Sequence, residues 1–131
     1  MTNHKILVIS PTYNESENIN KFISEILDLK LEILIIDDNS PDGTSQLIKT
    51  NKNFGNNLHL ISRKEKLGYG TAVIEGFNFG IRKKYEYIIQ MDADLSHRSI
   101  DLTSMIKFID NFDVIIGSRY IPGGGSEGWG I

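Results

Sequence analysis

The strongest constraint on this chain is the alternation of short, continuous apolar runs with apolar stripes at helical spacing, the signature of strand–helix units that build an open, mostly parallel sheet. Residues 6–9 form the first strand-like run. Ile19, Phe22, Ile23, Ile26 and Leu27 then recur at a 3.6-residue period, so one face of a helix is apolar. Asn14 and Glu17 offer a capping-box-like start for that helix. Residues 33–36 are branched or Leu throughout, as expected of a strand covered on both faces, and the run stops at Asp37-Asp38. After the Pro41-Asp42-Gly43 turn, Thr44 or Ser45 can cap a short helix to about Lys49. Further strands are predicted at 58–61, 87–91 and 114–116, with helices from the Gly68-Tyr69-Gly70-Thr71 loop to about Lys83 and over 100–109. At 131 residues, 40% of them hydrophobic, the chain supports one core and one domain.

Several classes fall away. A net charge of −3 provides no basic field for nucleic acid. No cysteine is present, which removes disulfides and thiolate chemistry and is compatible with a reducing compartment. No apolar run approaches the roughly 20 residues of a membrane span, and the first residues carry no signal-peptide-like stretch. A cytoplasmic location is the default expectation.

Acidic residues recur where strands end: Asn14-Glu15 after the first, Asp37-Asp38 after the second, Asp92 and Asp94 after the fourth. In open α/β sheets ligands bind outside the carboxyl ends of the strands, so these groups should line one crevice. Asp92 and Asp94, two apart on an extended segment, would point to the same side and share a Mg2+ or Mn2+ that keeps positions for diphosphate oxygens. Asp-x-Asp alone is a weak motif. Crowded carboxylates are costly without a cation, and that favours the metal reading here.

Asp38 suits a ribose hydroxyl or a base edge, whereas Asp42, Gly43 and Thr44 read as turn and cap. Tyr13 can offer a flat face to a base and Glu15 can accept from N–H groups, or both are ordinary loop polarity. Arg119, in Gly117-Ser118-Arg119-Tyr120, presents either a planar fork to a diphosphate or a surface ion pair. His97 reads as a loop hydrogen-bonder. Arg63 and Lys64 fit either a place near phosphates or a solvated strand end. The glycine pattern of dinucleotide folds is absent from the first turn, and a receiver-domain arrangement of aspartates does not fit.

Together, Pro11-Thr12-Tyr13-Asn14-Glu15, Asp37-Asp38-Asn39-Ser40-Pro41-Asp42-Gly43-Thr44, Leu67-Gly68-Tyr69-Gly70-Thr71-Ala72, Met91-Asp92-Ala93-Asp94-Leu95-Ser96-His97 and Gly117-Ser118-Arg119-Tyr120 resemble, in order and spacing, the dolichol-phosphate mannosyltransferases of glycosyltransferase family 2. The following Gly123-Gly124 and Gly128-Trp129 continue the likeness. The resemblance implies a GT-A-like α/β fold and an inverting, metal-assisted transfer of mannose from GDP-mannose to a dolichyl or polyprenyl phosphate, at the cytoplasmic face of a membrane. It implies donor contacts from Pro11, Tyr13, Glu15, Ile36, Asp38, Asp92, Ala93, Asp94 and Arg119. Metal contacts would come from Asp92, Asp94 and Ser96, and Asp94 and Arg119 would be the catalytic pair. Family members continue past Gly-Trp, so residues 1–131 are expected to be the nucleotide-sugar-binding part of one domain, with its C-terminal portion missing and 122–131 mobile. The alternatives are a related transferase using another nucleotide sugar, and a nucleotide-binding remnant without turnover.

Overall fold

The computed structural model describes residues 4–127, so Gly128, Trp129 and the end of the glycine-rich segment expected to be mobile lie outside the described residues. Two compact units are present, Met1–Ser99 and Ile100–Ile131.

The first unit is a four-stranded parallel sheet in the order β3-β2-β1-β4. Its strands are β1 (Ile6–Thr12), β2 (Glu32–Asp37), β3 (Leu58–Ser62) and β4 (Tyr87–Gln90). Three helices connect them: α1 (Ile19–Asp28), α2 (Thr44–Lys49) and α3 (Tyr69–Arg82). Side chains alternate across a strand, and both faces of the central strands are covered. Leu7, Ile9, Leu34 and Ile36 form a cluster with Ala72 of α3. Ile33 and Ile35 point the other way and are fully buried, on the side where α1 packs against β2 and α2 against β3. The continuous apolar run of β2 is thus explained by burial on two sides.

Helix α1 buries Ile19, Phe22, Ile23 and Ile26, each such side chain worth about 1.5–3 kcal/mol of transfer free energy. The expected capping box is not formed. Asn18 is the N-cap without a side-chain bond, and Asn14 adopts a left-handed φ of 57° while its N–H donates to Ser40 Oγ. The helix ends as Lys30 turns left-handed at φ 63° and donates to the Leu27 carbonyl. Helix α3 approaches the sheet closely because it carries glycines where it crosses. A Cβ at Gly76 would lie 2.8 Å from Ile9 Cδ1 and 3.2 Å from Ile36 Cδ1.

The second unit contains most of α4 (Ser99–Ile106), followed by turns to residue 111. The helix expected to reach Ile109 is therefore shorter. The fifth strand expected at 114–116 is not formed. Val114 and Ile116 are 75% and 82% exposed, and this unit has no other strand among its described residues. An apolar run without a neighbouring strand cannot complete a hydrogen-bond ladder. None of the described helices is long and apolar enough to cross a membrane.

Candidate functional site

The chain leaves β1 to build α1 on one side and returns from α3 to β4 on β1's other edge, which puts a topological switch point between β1 and β4. An open cleft lies there. It is lined by Pro11, Thr12, Tyr13 and Glu15 from the β1 end, Asp38 after β2, Lys66, Gly68 and Tyr69 before and in the start of α3, and Asp92, Ala93 and Asp94 after β4. Of the expected donor residues, Pro11, Tyr13, Glu15, Asp38, Asp92, Ala93 and Asp94 meet in this one place. Ile36 does not line it: the side chain is fully buried in the core. Arg119 belongs to the second unit, on an exposed loop.

The two adjacent aspartates at the end of β2 and just after it do different work. Asp37, fully buried, accepts from the Thr12 hydroxyl at 2.7 Å, the Ser40 hydroxyl at 2.6 Å, the Ser40 N–H at 2.9 Å and the Ser45 hydroxyl at 2.9 Å. That carboxylate ties the ends of β1 and β2 to the turn and to α2. Asp38 instead receives Arg63, whose Nε lies 2.5 Å from Oδ1 and Nη2 2.9 Å from Oδ2. Arg63 also donates to Thr71 Oγ1 and to the Gly68 carbonyl, and the Gly68 N–H returns to Asp38 Oδ2. Burial pushes the Asp38 carboxyl up, but the guanidinium and the Gly68 N–H outweigh it, and the net pKa is lowered. Arg63 is thus not a solvated strand end. It is a buried clamp that fixes Asp38 and the loop leading into α3.

Asp42 takes over the cap expected of Thr44 or Ser45. Its Oδ1 accepts from the Thr44 N–H and hydroxyl, and its Oδ2 from the Ser16 N–H. Burial raises its pKa, but the bonds from Thr44 and Ser16 together outweigh it and bring the carboxyl down to about 2. Thr44 Oγ1 in turn accepts from the Glu15 N–H at 3.1 Å, which places Glu15 on the cleft.

Asp92 and Asp94 both face the cleft, although the segment bends at 93–95 and Leu95 is left-handed at φ 68°, so it is not the extended pair expected. Asp94 Oδ1 accepts from the Ser96 hydroxyl at 2.6 Å and N–H at 3.0 Å; burial raises its pKa, but these bonds and the nearby His97 bring it below the ordinary value. Asp92 Oδ1 accepts from the Tyr69 hydroxyl at 2.9 Å, and that hydroxyl accepts from Gln90 Nε2. Burial first, then the bond to Asp92 and its charge, push the Tyr69 phenol up to about 12. His97 Nδ1 accepts from the Asp92 N–H, as expected of a loop hydrogen-bonder. Lys66 in its loop and Tyr69 at the first position of α3 carry no periodicity that would mark them in the sequence.

The cleft is electrostatically negative. Burial raises the Glu15 pKa, and the charges of Asp94, Asp42 and Asp92 raise it further against the lowering bond from Asn18. Among the described residues no three acidic, His or Cys side chains form a ready metal cage. Two carboxylates with a hydroxyl beside them nevertheless match Mg2+ or Mn2+, which take one or two protein carboxylates and leave positions for phosphate and water. A cation there would also relieve the field felt by Glu15.

Curated relatives match this chain along nearly its whole length, among them the following three. A polyprenol monophosphomannose synthase from Mycolicibacterium smegmatis is 38% identical over 129 residues, covering 95% of this chain and 49% of that protein. An undecaprenyl-phosphate mannosyltransferase from Micrococcus luteus is 35% identical over 127 residues, 95% of this chain and 52% of that protein. A dolichol-phosphate mannosyltransferase from Pyrococcus furiosus is 37% identical over 131 residues and is covered to 36%. The chain thus spans about half the length of the first two. A mannosyltransferase from Pyrobaculum calidifontis, solved with GDP-Man and Mn2+, superposes with a TM-score of 0.66 at 26% identity, over 85% of this chain and 34% of that one. The parallel sheet, the acidic cleft at its switch point and the match of residues 7–130 to the profile of glycosyl transferase family 2 agree, and the chain belongs to that family.

Proposed function

We propose that this chain carries the donor-binding part of an inverting glycosyltransferase that moves mannose from GDP-mannose to a dolichyl or other polyprenyl phosphate, assisted by Mg2+ or Mn2+. The observation that carries the reading is the convergence of Glu15, Asp38, Asp92 and Asp94 on one cleft beside Pro11 and Tyr13. The names of the relatives support mannose and a lipid phosphate, and the neighbour solved with GDP-Man and Mn2+ supports the donor and the cation.

In this reading Tyr13 stacks on the base, while Glu15 and Asp38 accept from its N–H groups or from the ribose. Asp38 has spent most of its acceptor capacity on Arg63 and Gly68, so its geometry is set before a ligand arrives, which is the preorganisation that tight binding needs. Ala93, buried and standing between the two carboxylates in sequence, lines the same cleft. Ile36 serves the site through packing against α3 near Gly76. Asp92, Asp94 and Ser96 hold the divalent cation, which when bound supplies charge neutralisation to the departing diphosphate. Arg119 offers its planar fork to the same diphosphate.

An oxygen of the lipid phosphate forms the new bond to the anomeric carbon as the bond from that carbon to GDP breaks, with the electron pair leaving on GDP. A phosphate monoester has its second pKa near ~6, so the nucleophile is already ionised and no side chain need take a proton. Because the acceptor is a lipid, the reaction belongs at a membrane surface, with the protein approaching from the cytoplasmic side. Calorimetric titration with GDP-mannose, UDP-glucose and UDP-N-acetylglucosamine, each with Mn2+, tests the donor. Preference for GDP-mannose is expected; preference for a UDP-sugar would replace mannose in this assignment.

A further inference from the structure

The cleft is lined by four carboxylates, those of Glu15, Asp38, Asp92 and Asp94. Arg63 neutralises Asp38, and a divalent cation on Asp92 and Asp94 would be cancelled by those two charges. A diphosphate entering beside Glu15 therefore still lacks a compensating positive charge from this unit. Lys66 is the one cation among the residues lining the cleft. Its ammonium stands 4.0 Å from the centroid of the Tyr13 ring, itself 39% exposed.

The backbone explains why Lys66 is there. The loop after β3 is pinned at both ends: the Arg63 N–H donates to the Asp37 carbonyl at 2.8 Å, and the Gly68 N–H donates to Asp38 Oδ2 at 3.1 Å. Arg63 Nη2 closes the loop on the Gly68 carbonyl at 2.8 Å. The residues between them form a short loop held at both ends, and its Lys66 lines the cleft.

We infer that Lys66 is a donor-binding residue that leaves the Tyr13 ring to meet the diphosphate when a nucleoside diphosphate enters. A cation–π contact at an exposed site is weak, whereas an ammonium–phosphate bond is charge-assisted and stronger. The flexible four-carbon stem of lysine lets the head group change partners without backbone movement. The exchange also uncovers the ring face for a base, so phosphate capture and stacking favour each other. This inference rests on the donor reading given above.

Calorimetry on wild-type, Lys66→Met and Lys66→Arg proteins, with Mg2+ present and with GDP, guanosine and inorganic pyrophosphate as separate probes, decides it. Lys66→Met is expected to weaken GDP and pyrophosphate by about tenfold, the loss of one charge-assisted bond. Guanosine should bind unchanged or slightly tighter, and Lys66→Arg should recover most of the GDP affinity. Unchanged GDP and pyrophosphate binding in Lys66→Met would overturn the inference, as would an equal loss for guanosine or a wild-type protein that ignores pyrophosphate. A wild-type protein that binds pyrophosphate but neither GDP nor guanosine would sink the donor reading, while the pyrophosphate arm still settles Lys66.

Discussion

Arg63 grips both carboxylate oxygens of Asp38 in a pair whose side chains are only 4% and 6% exposed. Removing one member of a buried pair leaves the other charge without a partner, at a cost of about 3 kcal/mol or more. Arg63→Met is therefore expected to lower stability by that order in urea unfolding, and Arg63→Met/Asp38→Leu to recover part of it. A single variant as stable as wild type would mean that the clamp does not hold the site.

The cap at Asp42 predicts a pH dependence. Its folded pKa, about 2, lies below the ordinary 3.8, so its stabilisation is present above about pH 4 and is lost as pH falls towards 2. Melting temperatures of wild type and Asp42→Asn should differ by a constant amount near neutrality and converge over that acid window. A gap that persists unchanged below pH 2 would contradict the assignment.

Gly76→Ala is expected to destabilise by about 1–3 kcal/mol through overpacking, although Ala is the better helix former. Its Cβ would meet the fully buried Ile9, with Cβ 3.2 Å and Cδ1 2.8 Å away. Gly70→Ala, with nothing within 4 Å, is the control and should be neutral or mildly stabilising. Chemical denaturation of both checks the contrast; equal effects would refute the close approach of α3.

Tyr69→Phe removes the hydroxyl that holds Asp92 while keeping a ring that is already 53% exposed. Metal-dependent GDP affinity should fall about threefold to tenfold, as for the loss of one hydrogen bond of ordinary net strength, with little change in melting temperature. Unaltered affinity would show that Asp92 is positioned without Tyr69.

Much of this was legible in the residues themselves. Ile33 to Ile36 reads as a two-sided strand because an apolar run without alternation has no solvent face, and the Ile19, Phe22, Ile23 and Ile26 stripe states its helix directly. The acidic strand ends met where a parallel sheet must bring them. Less legible were features set by partners distant in sequence. Arg63 is a clamp only because Asp38 lies 25 residues earlier, and the cap fell to Asp42 because Ser16 and Thr44 close around it. Val114 to Ile116 has the composition of a strand, but composition carries no information on whether a neighbouring strand is present. Ile36 was expected at the donor, yet its place on β2 points it into the core beside α3.

Asp92 and Asp94 are expected to bind a nucleoside diphosphate through a divalent cation. Calorimetry of GDP with the wild-type chain and with Asp94→Asn, each in Mn2+ and in EDTA, measures it most directly. Tighter binding in Mn2+ is expected for wild type, because the cation removes the repulsion between those carboxylates and the diphosphate, and Asp94→Asn should lose most of that gain. Equal wild-type affinity in Mn2+ and in EDTA would mean that no cation bridges these carboxylates to the diphosphate.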